Sequence, residues 1–337
     1  MRSATNIIPA GAVVIPTRMA LGKAAINSVD MAINQDLKAL LPKSGYNNRF
    51  LLHFLLSKAS YLEGKGKGAT VKGITLDVLR SLEIPLLSEK EQRRIAAILD
   101  KAEAIRQKRQ KTMSLIHVLV RNAFLELFGD PVTNVHGFES RKVEALLNNA
   151  RGAQSGPFGS TLKKHEYVSE GIPVWGVDNV RENAFTPKPK LFITEQKFRD
   201  LKRYSVEEGD VLISRAGTVG RMCVARPGTN KSIISTNLVR VALDKEQITS
   251  EYFVSLFTYL PHRLGGLRAN QKEGAFTFLN PKTLRSLKIP VPPLKLQQRY
   301  VELVQRSTLL FEHSKAQLSL ADYMCRALSQ RAFRSEL

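Results

Sequence analysis

LRSLEIPLLSEKEQRRI, residues 79–95, returns later in the chain as LRSLKIPVPPLKLQQRY, residues 284–300. At an offset of 205 the two stretches share Leu, Arg, Ser, Leu, Ile, Pro, Lys, Gln and Arg, nine of seventeen positions. The likeness continues upstream, where PAGAVVIPTRMALGKAAI (Pro9 to Ile26) parallels EEGDVLISRAGTVGRMCV (Glu207 to Val224) at an offset of 198. Both read as Gly, a short apolar strand, a polar or basic turn, Gly with a basic residue, and a second strand. In each copy an Asn follows the basic position, Asn34 in one and Asn237 in the other. A repeat of about 200 residues is far longer than the roughly 20–50 of a solenoid. The pattern therefore implies a duplicated domain with its connector.

Downstream of each Pro-containing stretch the period changes. Ile95, Leu99, Ala102, Ile105, Met113, Ile116, Val120, Phe124 and Leu127 recur at helical spacing from Glu89 to Phe128, with no Pro or Gly before Gly129. A second such run, from about Leu296 to Phe333, carries Leu303, Val304, Leu310, Leu318, Ala321, Met324 and Leu328. Helices of this length, about 60 Å at 1.5 Å per residue, with a narrow apolar stripe are expected to pair as a coiled coil. Such a pair would hold two globular domains a fixed distance apart, which suits a reader of two sites on a long, straight polymer. Long core helices of a dimerisation module are the plain alternative.

The 337 residues are enough for about two domains, and 43% hydrophobic content is ordinary for a globular chain. The charge is not ordinary. Lys and Arg outnumber Asp and Glu by 51 to 30, a formal net charge of +21, which favours a polyanionic partner, nucleic acid first and an anionic membrane second. No apolar run approaches a membrane span. The N-terminal segment, interrupted by Pro9 and Pro16, does not read as a signal peptide. The two cysteines, Cys223 and Cys325, have no partner motif and fit a reducing cytoplasm.

The stretch IPLLSEKEQRRIAAILDKAEAIRQKRQKTMSLIHVLVRNAFLELFGDP, residues 84–131, resembles the first helical region of type I restriction-modification specificity subunits. The pieces are Pro85, Glu91 with Gln92, Ile95, the basic run from Arg106 to Lys111, and Phe124 through Phe128, Gly129, Asp130 and Pro131. IPVPPLKLQQRYVELVQR, residues 289–306, resembles the second such region, with Gln297 in the place of Gln92 and Leu296 where Glu91 stands. The resemblance covers essentially the whole chain. It implies an α+β fold in which target recognition domains of mixed α/β structure are joined by two long helices forming an antiparallel coiled coil. It also implies a noncatalytic, cytoplasmic subunit without a cofactor that reads a split sequence in double-stranded DNA. Methyltransferase subunits would dock on the helices, a restriction motor and nuclease subunit would join them, and a second copy of the chain is a further expected partner.

The expected division is residues 1–87 for the C-terminal part of a first recognition domain and 88–130 for the first long helix. Residues 131–293 form a complete second recognition domain, and 294–337 the second long helix. The complete domain has 63 residues between Val143 and Val206 (206 minus 143) with no counterpart after Met1, so the first domain is expected to be truncated and to read DNA poorly. A coiled-coil scaffold or inactive remnant that binds DNA only nonspecifically is the alternative.

Catalysis finds little support. Gly22-Lys23 and the run from Gly64 to Gly68 lack the Ser or Thr that ends a phosphate-binding GxxxxGK[ST] loop, and Asn280-Pro281 continues with Lys rather than the aromatic of an amino-methyltransferase motif. The Gly64–Gly68 run reads as a loop beside DNA phosphates or a solvated turn. The six histidines show no metal-ligand spacing with each other or with the cysteines, so no metal is expected.

Binding must then come from polar loops. Between Pro131 and Pro290 there are 24 Lys and Arg against 15 Asp and Glu, a surplus suited to phosphate contacts, which set register, while base edges carry specificity. Three loops are candidates. The first offers Arg151, Gln154, Ser155, Lys163 and Lys164; the second, Arg215 at a strand exit and Thr218, unless it is only a hairpin turn; the third, Arg268, Asn270, Gln271 and Lys272. Asp178 and Asn179 follow Trp175, which is expected in the core, and are placed toward the groove. On the helices, Arg93, Arg94, Arg106, Lys108, Arg109 and Lys111 form either a solvated face or a contact to DNA between half-sites. Phe124, Leu127 and Phe128, near the helix ends, are candidates for partner binding or for the coiled coil itself.

Overall fold

A computed structural model describes residues 7–42, 45–68, 70–215, 219–229, 231–259 and 280–334. The chain begins with five short strands, β1 (Ile7–Ile8), β2 (Val13–Pro16), β3 (Ala25–Ile26), β4 (Met31–Ala32) and β5 (Leu37–Leu40). Three helices follow, α1 (Asn48–Ser57), α2 (Ala59–Lys65) and α3 (Leu76–Arg80), before the long helix α4 (Glu89–Phe128). Next come β6 (Ser140–Lys142), β7 (Ala153–Ser155), β8 (Tyr167–Val168), β9 (Ile172–Trp175), β10 (Val180–Arg181), β11 (Ala184–Phe185) and β12 (Leu191–Ile193). Helix α5 (Glu195–Asp200) leads to β13 (Val211–Ser214), β14 (Met222–Val224), β15 (Ile233–Ile234) and β16 (Leu238–Val241). The chain closes with α6 (Ser250–Tyr259), α7 (Pro281–Ser286), β17 (Lys288–Pro290) and the second long helix, α8 (Leu294–Ala332). None of the described helices is long and apolar enough to cross a membrane.

Two compact units divide the chain: unit 1 is Met1–Ser114 with Phe311–Leu337, and unit 2 is Leu115–Leu310. Each long helix thus contributes one part to each unit. In unit 1, Ile95, Ala96 and Leu99 of α4 cluster with Leu328 and Ala332 of α8, and Arg106 lies 3.8 Å from Asp322. In unit 2, Phe124 of α4 meets Tyr300 of α8 at 5.6 Å between ring centroids. Numbers rise along one helix as they fall along the other, so the pair is antiparallel. The α4 boundaries follow from local chemistry. Ser88 supplies the first turn, its Oγ accepting from Glu91 N–H at 3.3 Å. Gly129, at φ +68°, ends the helix with its N–H on Leu125 O.

Unit 2 is layered. One antiparallel sheet runs in the order β14-β13-β16-β7, and a second, in the order β15-β9-β12-β8, pairs β15 with β9 in parallel. Alternation along β13 and β16 makes the first sheet two-faced. Val211, Ile213, Val239 and Val241 pack with Phe124, Phe128, Tyr252 and Tyr300, while Leu212 and Leu238 pack with Trp175 and Ile193 of the second sheet.

The sequence repeat is a structural repeat. Val13 pairs with Ile26 as Val211 pairs with Val224, and Val13 pairs with Leu40 as Val211 pairs with Val241. The proposed equivalence of Asn34 with Asn237 needs correction. Thr17 N–H donates to Asp36 O at 2.7 Å and Arg215 N–H to Asn237 O at 2.9 Å, so Asp36 is the counterpart of Asn237. The loop ahead of the last strand differs in length between copies, and matching asparagines there do not share a backbone position. In unit 1, Ile7 of β1 pairs with Ala32 of β4 as Ser205 bridges to Ile233 of β15, but among its described residues nothing corresponds to β8, β9 and β12.

The opening stretch now has a physical meaning. Gln92 and Gln297 are both fully buried and make matching bonds. The Gln92 Oε1 accepts from Asn47 N–H at 2.9 Å while its Nε2 donates to Leu87 O and Gly45 O, both at 2.9 Å. The Gln297 Oε1 accepts from Thr249 N–H at 2.8 Å while its Nε2 donates to Pro292 O at 2.8 Å and Gln247 O at 3.2 Å. Each glutamine pins the first turn of a long helix to the start of its own domain's short helix, α1 or α6.

Candidate nucleic-acid interface

Three strand ends of unit 2 meet at the segment Ser235–Asn237, which carries the chain from β15 into β16 and so from one sheet to the other. On the β9 side, Ser235 N–H donates to Trp175 O at 2.8 Å. On the β7 side, Gly156 N–H donates to Leu238 O at 3.0 Å and Thr236 Oγ1 to Pro157 O at 2.6 Å. A Cβ at position 156 would lie 2.0 Å from Ser235 O, so only glycine allows this approach. From β13, Arg215 joins through the bond to Asn237. Its guanidinium lies over the Phe158 ring, Cζ 4.6 Å from the centroid, while half of Phe158 remains exposed. Burial draws the Arg215 pKa down from its ordinary value. The junction offers a cation held over an aromatic ring, the hydroxyl of Thr236 and the exposed amide of Asn237, which are hydrogen-bonding groups suited to base edges and phosphates.

The structure brings some of the sequence candidates to this junction and leaves others apart. Gln154 and Ser155 lie on β7, Gln154 directly opposite Arg240 of β16, and Gln154 Oε1 is buried with no hydrogen-bond partner among the described residues. Arg215 is at the centre. Asp178 is exposed and paired with Lys190 at 2.7 Å, and the hydrogen bond from Lys190 holds its carboxyl below the usual carboxylate range. Asn179 is only 4% exposed. Its Oδ1 accepts from Gly176 N–H and its Nδ2 donates to Thr186 O and Lys188 O, so the side chain builds the turn that presents Asp178.

Arg151, Lys163 and Lys164 are exposed, with no described contact to the junction. The Lys163 backbone N–H donates to the Glu166 carboxylate, which also takes Lys197 at 2.7 Å. Thr218, Arg268, Asn270, Gln271 and Lys272 lie outside the described residues. Trp175 is buried against Phe185, rings 4.9 Å apart. Phe158, Thr236 and Asn237 escaped the sequence reading as contacts. The signals available were an aromatic close to Gly156 and Gly159, and the polar triplet Ser235-Thr236-Asn237 between two apolar runs.

The aromatics assigned to partner binding are instead inside unit 2. Phe124 and Phe128 are buried, Phe128 lying 4.7 Å from the Tyr252 ring and 5.5 Å from Tyr300, and Leu127 is partly buried against the same cluster. A helical stripe facing a core and one facing a partner have the same spacing, so periodicity alone does not separate them. On α4, Arg93 pairs with Glu89 and Arg94 with Glu91 on a solvated, self-paired face, while partly buried Arg106 pairs with Glu103 of its own helix and faces Asp322 of α8. No cluster of His, Cys, Asp or Glu among the described residues could hold a metal ion.

The chain thus builds one frame twice on a single helix pair, and in the larger unit strand ends gather into a cationic, polar junction. Residues 2–114 and 158–319, well over half of the chain, match the family described as type I restriction modification DNA specificity domain, and the chain belongs to that family. It is a specificity subunit, the component that directs a restriction-modification complex to its DNA target. The EcoBI specificity subunit of Escherichia coli is 23% identical over 324 residues, covering 87% of this chain and 66% of that one. The MjaIX specificity subunit of Methanocaldococcus jannaschii is 21% identical over 321 residues, covering 89% and 71%. The crystal structure of the type I restriction-modification system S subunit from M. genitalium shares the fold, with a TM-score of 0.60 at 18% identity over 97% of this chain and 84% of that one.

Proposed function

We propose that unit 2 reads one part of a split DNA target at the Ser235–Asn237 junction, and that the chain supplies recognition while its partners supply chemistry. The observation that carries this reading is the convergence of Gly156–Phe158, Arg215 and Thr236–Asn237 on one point. Arg215 reads a base edge from its platform on Phe158, Ser155 and Gln154 line the approach, and Arg151, Lys163 and Lys164 contact phosphates. Methyltransferase subunits bind the helix pair, and a restriction motor and nuclease subunit completes the assembly. The compartment is the cytoplasm, where the DNA is. The division into residues 1–87, 88–130, 131–293 and 294–337 remains our functional partition of the chain.

The test is a genome-wide map of methylated adenines in cells expressing this chain with a cognate methyltransferase subunit, against cells lacking it. A new split motif is expected. Two identical inverted halves indicate two copies of this chain in the complex, each reading through unit 2; two different halves indicate that both units read. No new motif, with the same methyltransferase active beside another specificity subunit, refutes the proposal.

A further inference from the structure

Resting on this DNA-recognition reading, we propose that unit 1 carries a duplex contact of its own, a basic loop tipped by Met19. The loop joins β2 to β3 and occupies in unit 1 the place that the Arg215 loop occupies in unit 2, as the shared strand register shows. Met19 is 82% exposed with φ +63°, the left-handed region that residues with a Cβ seldom adopt. Its conformation is fixed from both sides. Met19 N–H donates to Lys72 O at 3.1 Å, and Ala20 N–H to Arg18 O at 2.7 Å. Arg18 bridges to Gly73, and Lys67 and Gly73 exchange backbone hydrogen bonds of 2.9 Å each. Positions 22 and 66 approach so closely that a Cβ would lie 2.9 Å from Ala59 O and 2.6 Å from Leu21 Cδ1.

A strained backbone that holds a large apolar side chain in water contributes nothing to packing within the chain, so its use lies in a partner. The surroundings indicate which. Arg18, Lys23, Lys67 and Lys72 are all exposed around the tip, and Asp36, 3.6 Å from Arg18, is the one acidic ion-pair partner described there. Cations spaced around an apolar tip match phosphates flanking a base step, against which apolar side chains wedge in duplex grooves. The Gly64–Gly68 run thereby acquires a role: it brings Lys67 beside the loop.

The experiment measures binding of a fluorescein-labelled mixed-sequence duplex to the full chain in complex with its methyltransferase partner, across a salt series. Replacing Lys67 and Lys72 together by Ala is expected to flatten the slope of log affinity against log salt by about 1.8, at roughly 0.9 per phosphate contact. The affinity lost between about 50 and 200 mM salt is then about twelvefold smaller than for the parent. Met19→Gly suits the left-handed backbone, so the melting temperature does not fall, yet binding weakens roughly fivefold or more with the salt slope unchanged; Met19→Leu retains the parent affinity. An unchanged slope and affinity in these variants, with Arg215→Ala still weakening binding, overturns this inference and leaves the general reading standing. Loss of methyltransferase association with DNA affinity intact also overturns it, by assigning the loop to an acidic protein surface. A parent complex that binds no duplex overturns both.

Discussion

Replacing Gln297 by Leu, nearly the same size, removes every polar function of the joint between α8 and unit 2. Four contacts go: Thr249 N–H and Oγ1 at 2.8 and 3.3 Å from Oε1, and Pro292 O and Gln247 O at 2.8 and 3.2 Å from Nε2. The Thr249 hydroxyl can rotate, and the longest carbonyl bond is the one most readily replaced by water. Loss of the two 2.8 Å bonds leaves the N–H of Thr249, just ahead of α6, and the Pro292 carbonyl without these partners beside a fully buried side chain. At about 1–3 kcal/mol for each orphaned buried group, the loss is about 4 kcal/mol. For a unit of this size that corresponds to a fall of roughly 8–16 °C in melting temperature, at 2–4 °C per kcal/mol. Scanning calorimetry of the full chain measures it, and hydrogen exchange at the Thr249 amide localises it. Gln317→Leu is the control, because Gln317 is partly exposed and, among the described residues, hydrogen-bonds to His313 of its own helix, where a surface change costs within about 0.5 kcal/mol. If Gln297→Leu melts no lower than Gln317→Leu, the buried amide does not fasten the joint, and the physical account of the repeat given above is refuted.

Other outcomes follow from the same geometry. Phe124→Ala, which empties a fully buried site among Phe128, Tyr252 and Tyr300, is expected to cost about 3–5 kcal/mol, read from urea denaturation, far more than Leu119→Ala at a half-exposed position of the same helix. In unit 1, burial works to raise the Asp100 carboxyl, but hydrogen bonds from Arg49 and His53 outweigh it and leave its pKa below the ordinary aspartate value. A carboxyl depressed in the folded state contributes stability above its unfolded pKa and loses it as pH falls through the folded one. Stability of the parent is therefore expected to drop more steeply below about pH 4 than that of Asp100→Asn, as thermal melts across pH would show. Cys223, whose thiol burial pushes up to about 12, is expected to resist iodoacetamide in the folded chain near pH 8, while half-buried Cys325, raised by burial and then by Glu103, reacts slowly; mass spectrometry of the alkylated protein separates the two.

What could be read before the structure was whatever depends on neighbours in sequence. The long helices were legible because forty residues without Pro or Gly, bounded by Ser88 and Gly129, leave few alternatives. The β2–β3 and β13–β14 hairpins were legible from alternation and glycine placement. The candidate site was legible only in pieces. Arg215 stood out at a strand exit, but its platform, Phe158, lies 57 residues earlier (215 minus 158), and the Thr236 bond to Pro157 spans 79 residues. Gln92 and Gln297 were visible as a repeated letter, yet the N–H groups they hold are 45 and 48 residues distant. Asn179 looked like a reader because an amide in a loop can face outward or brace the turn, and the composition is the same in both cases.

The two copies also differ where difference has consequences. Several paired elements keep their lengths, four residues in β2 and β13 and ten in α1 and α6. The offset between copies nonetheless climbs from 198 at the first strands to 201 at β5 and β16 and 205 at the glutamines. The first three of these added residues fall between the second and the last strand of this frame, β3 to β5 and β14 to β16, and the frame tolerates them because its hydrogen bonds and apolar faces lie elsewhere. On that shared frame the strand-exit position holds Arg215 in unit 2 and buried Thr17 in unit 1. The arginine there lays its guanidinium over Phe158, whereas the Thr17 hydroxyl donates to Asp36 O at 3.1 Å. The exposed chemistry of the unit 1 loop passes instead to Arg18 and Met19. Equal frames with unlike tips cannot favour the same base step, so a target read by both units of one chain is asymmetric, and a symmetric target requires the same unit twice.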